Sequence, residues 1–169
     1  HTGERRDVEQ ESVVCLDANT GAKLWQYKFN VFHTDIVSNR VGWTTMAIDP
    51  ATGNVYCHGT QGTLLCLSRD GKLVWERSLS EEFGRVSGYG GRLSGVTLDG
   101  DLVIVPINCA VWGKYGRGGS RLVAFHKSTG QTVWYGSTGY RVLDSFQSTP
   151  VVSEVNGQRL VFSGGGDGG

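Results

Sequence analysis

The chain has 169 residues, and its 16 Lys plus Arg balance its 16 Asp plus Glu to a formal charge of zero. That balance supplies no global field to steer the chain to nucleic acid or an anionic membrane, and no apolar run is long enough to span a bilayer. With 26 Gly, 3 Pro and 10% aromatics, the composition suits short strands and tight turns rather than helices.

The predicted elements run as follows. After a polar stretch at 4–11, residues 13–16 (Val-Val-Cys-Leu) form a strand, and Asn19-Thr20-Gly21 turns the chain. Glycine supplies the positive φ that a tight hairpin needs. The next strand carries Trp25, Tyr27 and Phe29, whose alternation puts three aromatics on one face. A long connection at 30–42 leads to a strand at 44–49, a turn at 50–53 and a strand at 55–58. Residues 64–67 form the next strand, Arg69-Asp70-Gly71 a turn, and Leu73-Val74-Trp75 the strand after it. The same order returns after the connection at 80–91, with strands at 94–99 and 102–107, a long connection at 109–120, and a strand at 122–125. A turn at 127–130 precedes the strand carrying Trp134, and a connection at 137–146 leads to strands at 148–153 and 160–163.

Three segments therefore repeat: 13–25, 64–75 and 122–134, each ending on a Trp, with Trp-to-Trp steps of 50 and 59 residues. A second set, 44–49, 94–99 and 148–153, alternates with them, one member following each Trp segment. This spacing suits four-stranded blades with generous loops. The expected fold is all-β, a partial β-propeller of four-stranded antiparallel blades. Residues 1–29 are read as the outer half of a blade, 30–79 and 80–136 as complete blades, and 137–169 as the inner half of another. The Gly-rich run at 164–169 reads as a turn awaiting a strand, so the chain is expected to be a stretch of a longer ring. Trp25, Trp75 and Trp134 are expected to dock blade against blade. A buried Trp removes ~150–250 Å² from water, up to roughly 4–6 kcal/mol at ~25 cal/mol per Å² before entropy.

The run Leu16-Asp17-Ala18-Asn19-Thr20-Gly21-Ala22-Lys23-Leu24-Trp25 resembles the PQQ-enzyme repeat of quinoprotein-type propellers, Leu-Asp-x-x-Thr-Gly-x-x-x-Trp. In the stretch 125–134, His126 stands where that pattern has Asp, and the second repeat has Ser68 and a shorter turn. The resemblance implies a ring of roughly seven to eight blades and an extracytoplasmic or periplasmic location. It speaks for fold more than function, because dehydrogenases, assembly-factor lipoproteins and uncharacterised bacterial propellers share the repeat.

Quinoprotein dehydrogenases of this type would carry adjacent cysteines and a Glu/Asn/Asp set holding calcium. Cys15, Cys57, Cys66 and Cys109 are not adjacent, and no oxygen-ligand cluster reads as a calcium loop. The cysteines read as small buried hydrophobes, with a disulfide between Cys57 and Cys66 left open. His33, His58 and His126 share no metal-ligand spacing. The formal dinucleotide pattern Gly164-x-Gly166-x-x-Gly169 has no helix after it. No catalytic, metal or cofactor-binding residue is assigned. No cofactor is expected, with PQQ and calcium as the alternative.

Short turns fall at one end of the predicted blades and long connections at the other, which is where binding is usually built on a rigid scaffold. The candidate partner or ligand face comprises His33, Arg40, Trp43, Arg85, Tyr89, Arg92, Trp112 and Lys114, aromatic and Arg anchors of the kind enriched in hot spots. The expected function is a non-catalytic propeller acting as a binding or assembly scaffold, its partner a protein or small molecule. The alternatives are a quinoprotein oxidoreductase with its cofactor site in further blades, and a ligand-sensing domain of a larger protein.

Overall fold

In the computed structural model, residues 10–31, 42, 44–84, 93–109, 119–138 and 148–164 are described. Among the described residues, twelve strands form four antiparallel sheets in chain order. Strands β1 (Gln10–Leu16) and β2 (Lys23–Asn30) make a two-stranded sheet. Strands β3 (Ala47–Ile48), β4 (Val55–Gly59), β5 (Thr63–Leu67) and β6 (Leu73–Ser78) make a four-stranded blade in sequential order. A second such blade holds β7 (Thr97–Asp99), β8 (Leu102–Cys109), β9 (Gly119–His126) and β10 (Thr132–Ser137). The last sheet pairs β11 (Val151–Val155) with β12 (Gln158–Phe162). The chain is a partial β-propeller.

Burial follows position in the stack. Strand β1 alternates, with Glu11 and Val13 buried and Ser12 and Val14 exposed, as expected of a sheet covered on one face. Strand β4 is buried at every position, and β5 at all but its first, because this blade has sheets against both its faces. The apolar runs of β4, β5, β8 and β9 are therefore continuous, while those of β1 and β2 alternate. Two clusters carry the packing around the middle blade. One joins Val13 and Phe29 to Val55, Cys57, Leu65 and Leu67. The other joins Tyr56, Leu64 and Cys66 to Val103, Val105, Val123 and Phe125.

The turns explain themselves locally. Asp17 accepts from the backbone N–H groups of Asn19 and Thr20 and from Thr20 Oγ1, and Gly21 follows at φ +72°. At the third repeat the His126 ring takes that place, its Nδ1 accepting from Ser128 N at 3.3 Å. This is why His tolerates the Asp position: the turn needs an acceptor, and a neutral imidazole nitrogen is one. The strand registers also shift at one recurring place, at Cys15/Leu16, Cys66/Leu67 and Thr132/Trp134, beside each Trp.

The strands that open the second repeat set are shorter than expected: β3 covers two residues and β7 three, while β11 begins at Val151. The residues before them are spent on side-chain and close-packing contacts instead of ladder bonds. Thr44 Oγ1 donates to His58 O. A Cβ on Gly95 would lie 2.9 Å from Thr45 Oγ1 and 3.1 Å from Thr149 Oγ1, so three successive sheets converge there and only glycine fits. The connection expected from Ser80 begins instead with a one-turn helix, α1 (Leu79–Phe83). Leu79 is buried and Phe83 packs against the same core, an i, i+4 pair that a loop would not bring onto one face. Strands β1, β2, β8, β9 and β10 also extend into the expected connections, taking in Gln10, Glu11, Asn30, Cys109, Gly119, Ser120 and Ser137.

Candidate functional site

Trp25 and Trp75 make equivalent contacts with the sheet that follows each of them. Trp25 Nε1 donates to Arg69 O at 2.9 Å, and a Cβ on Gly71 would lie 2.6 Å from the Trp25 ring. Trp75 Nε1 donates to Lys127 O at 2.9 Å, and a Cβ on Gly130 would lie 2.8 Å from the Trp75 ring. Each indole thus lies on the turn glycine of the next sheet and ties its N–H to that turn's backbone. The rings are half-buried rather than buried, so the apolar gain per ring is below the full-burial figure. Trp134 packs against the buried cluster of Ile104, Leu122 and Ala124.

Polar groups around the second seat converge on Lys127. Its carbonyl also accepts from Tyr56 Oη at 3.1 Å, and its Nζ lies 3.1 Å from the buried Asp49 carboxylate. Hydrogen bonds from Ala51 N, first, and then from Lys127 hold Asp49 below the usual carboxylate range. Arg77 bonds Glu82 and Gly130 O, and its guanidinium lies 5.4 Å from the Phe125 ring centroid. Arg159 Nε donates to Asp99 at 2.8 Å, joining the last sheet to the blade before it.

Two buried polar groups went unrecognised in the sequence. Glu11, expected in a connection, lies within β1 and is only 5% exposed. Its carboxylate accepts from Thr60 N at 2.7 Å, from Thr60 Oγ1 and from Gly42 N, clasping β1 to the short 3-10 turn Thr60–Gly62. The available signal was period two, since Glu11 shares the face of Val13. His58 is fully buried, with Nδ1 3.2 Å from Ser94 O. A carbonyl only accepts, so Nδ1 carries the proton and Nε2 is left a lone pair, which is buried and has no partner among the described residues. Burial pulls the pKa of His58 down to about 4, so the ring is neutral near pH 7.

A cavity of about 110 Å³ lies beside Glu11, bounded also by Val13, Phe29, Met46, Cys57 and Gly59. Burial, reinforced by the Glu11 charge, pushes the Cys57 thiol up to about 12, and burial raises Cys66 to about 11. Such thiols stay protonated and are not nucleophiles at neutral pH. Cys57 pairs with Leu65 while Cys66 pairs with Tyr56, and both are free. The offset of one residue sends them to opposite faces of the blade, into separate clusters.

His33, Arg40, Trp43, Arg85, Tyr89, Arg92, Trp112 and Lys114, the eight residues of the expected partner face, lie outside the described residues. Among the described residues, no group of three or more His, Cys, Asp or Glu side chains is placed to hold a metal ion. Among the described residues no helix is long and apolar enough to cross a membrane.

Solved structures with this fold include a europium-containing methanol dehydrogenase, at 19% identity and a TM-score of 0.53 over 75% of this chain. They include the quinohemoprotein alcohol dehydrogenase of Comamonas testosteroni, at 20% identity and a TM-score of 0.50 over 75% of the chain. BamB of Moraxella catarrhalis matches over 90% of the chain at 17% identity with a TM-score of 0.47. The chain spans 21%, 18% and 37% of these three proteins respectively. Among curated proteins, none matches it. A sequence profile of PQQ-like repeats, described as outer membrane protein assembly factor BamB, matches residues 9–168. With nearly every residue inside that match, and with the repeated Trp seats and blades that the repeat encodes, the chain belongs to this PQQ-like repeat family.

Proposed function

We propose that this chain is part of a non-catalytic, extracytoplasmic propeller that binds protein and serves as an assembly scaffold. The observation that carries the reading is the match of residues 9–168 to the family described as an outer membrane assembly factor. The chemistry of the described blades agrees with it. The buried side chains of Glu11 and Asp49, and Nδ1 of His58, are engaged with neighbouring strands, turns and sheets, as a rigid support requires. The binding face is the set of long connections carrying Trp43, Arg85, Arg92 and Trp112, where aromatic and Arg side chains make suitable anchors.

Photo-crosslinking residues placed at Trp43 and Trp112 test this, with Leu24 and Val133 on the outer strands as control positions. The expected result is a discrete protein adduct from the two loop positions and none from the controls. Equal labelling at all four positions, or dye-linked alcohol oxidation that requires PQQ and calcium, would overturn the scaffold reading.

A further inference from the structure

We propose that Asn156 and Gly157, the turn between β11 and β12, are a site of self-modification, where the folded chain deamidates through a succinimide to an aspartyl or isoaspartyl residue. This inference is independent of the scaffold function.

Asn156-Gly157 is the one Asn–Gly pair in the sequence. Asn156 has φ +51° and Gly157 +76°, with Val155 opposite Gln158, the two-residue hairpin that Asn-Gly favours. Gly157 has no Cβ to shield its nitrogen, and the space where one would sit is open. Both residues are exposed, as are Pro50, Ala51 and Gly100 in the corresponding turns of the two four-stranded blades. Exposure is therefore a property of this turn in the blade.

Hydrogen bonding sets the Asn156–Gly157 turn apart. Elsewhere the turn glycine donates its N–H to a carbonyl of its own turn: Gly21 to Asp17, Gly53 to Asp49, Gly71 to Ser68 and Gly130 to His126. Gly157 N makes no such bond among the described residues, so it is available as a nucleophile. The electrophile differs too. The corresponding side chains are the carboxylates of Asp49, held by Ala51 N and Thr52 Oγ1, and Asp99, held by Arg159. A carboxylate resists attack, whereas the Asn156 amide can release ammonia. Other asparagines lack the free nitrogen or the glycine. Thr20 N, after Asn19, is donated to Asp17, and Asn54 precedes the β-branched Val55.

In the reaction, Gly157 N bonds to Asn156 Cγ and the bond from Cγ to the amide nitrogen breaks. The Gly157 proton leaves with that nitrogen as ammonia. Water then opens the ring. Attack at Cγ gives Asp, and attack at the main-chain carbonyl carbon gives isoAsp, whose backbone runs through the former side chain.

The two products differ in consequence. Asp tolerates the left-handed backbone of residue 156, so the turn survives with one added charge. IsoAsp puts an extra carbon into the main chain, and a two-residue turn no longer closes with Val155 opposite Gln158. Register sets which face each side chain takes. Arg159, opposite Glu154, is then displaced from Asp99, and the contact between this sheet and the blade before it is lost.

The test is peptide mapping of the natively folded chain held in mildly alkaline buffer. Residue 156 should show the mass gain of NH exchanged for O before Asn19 or Asn54 does, and isoaspartate there should accept a methyl group from S-adenosylmethionine through isoaspartyl methyltransferase. In the isoaspartyl fraction, hydrogen exchange across β12 should be roughly fivefold faster, as loss of an exposed ion pair at the upper end of its range gives. Asn156→Asp, which adds the charge without the extra carbon, should leave that exchange unchanged. Conversion at 156 in urea but not in the folded chain would refute the site, as would conversion of Asn19 or Asn54 at the same pace. Equal exchange across β12 in the isoaspartyl fraction and the parent would refute the loosening of the sheet.

Discussion

The indole of Trp75 lies against Gly130 of the next blade and donates its N–H to Lys127 O at 2.9 Å, just as Trp25 does to Arg69 O over Gly71. The turn at 68–71 is one residue shorter than that at 126–130, yet the seat is the same. The shortening falls between the acceptor carbonyl and the glycine, so the ring contact and the hydrogen bond both survive. What the repeat preserves is a donor, an acceptor and a position without a Cβ.

Gly130→Ala should be costly for two reasons. The residue has φ +70°, and the new Cβ would lie 2.8 Å from the Trp75 ring. A non-glycine residue in this backbone region costs about 1–2 kcal/mol, and displacing a packed ring should bring the loss to about 3 kcal/mol. Gly100→Ala is the control, since φ is +56° but the space is open, and it should lose only about 1 kcal/mol. Urea denaturation compares them, and equal losses would show that the glycine is not a seat.

Trp75→Ala removes the ring itself. Because Trp75 is half-buried and meets the Tyr56 ring at 6.0 Å, the expected loss is about 3 kcal/mol, the low end for buried aromatic truncations. A loss below about 1 kcal/mol, within the range of surface substitutions, would contradict a docking role.

Glu11→Gln should destabilise the β1–β2 sheet by roughly 2 kcal/mol, since a charge-assisted acceptor of three bonds becomes an amide that must turn one NH₂ toward donors. Hydrogen exchange should show the effect first at the amide of Thr60, which bonds the carboxylate. Unchanged protection there would mean the clasp carries no stability.

The pH dependence of stability should carry a signature of His58. Its folded pKa of about 4 lies below the ordinary 6.5, so the unfolded chain binds the proton more readily. Stability is then complete above about pH 6.5 and falls as the pH drops toward 4, by roughly 3 kcal/mol in all. Asp49 and Asp99, held low by hydrogen bonds, add their own loss only below about pH 4. Denaturation midpoints measured from pH 7 to 4 should fall in the parent chain and stay nearly level in His58→Asn. A flat profile in the parent would mean that the ring is not buried neutral.

Added PQQ and calcium should leave the melting temperature unchanged. A ligand bound at 100 times its dissociation constant would stabilise the fold by ~2.7 kcal/mol, a readily measured shift. A saturable shift requiring both components would favour the oxidoreductase alternative.

Much of the architecture was legible because its determinants are local. The Asp17–Gly21 turn, the Trp spacing and the alternation of Trp25, Tyr27 and Phe29 each need only a few neighbouring residues, and together they implied antiparallel four-stranded blades. Repetition then carried a local reading into a global one. Glu11, His58 and Lys127 were not legible in this way. Whether Glu11 is a solvated loop residue or a buried clasp depends on Thr60, which is 49 residues away. The ionisation of His58 depends on Ser94 and the blade that covers it. The same holds for the cysteines: one residue of register across β4 and β5 sends Cys57 and Cys66 to different cores. The sequence by itself determined the repeat, the turns and the strand order, since these follow from backbone preference and side-chain period. Only the tertiary structure decided which polar groups are buried and what they meet, because burial and pairing are properties of sheets brought together.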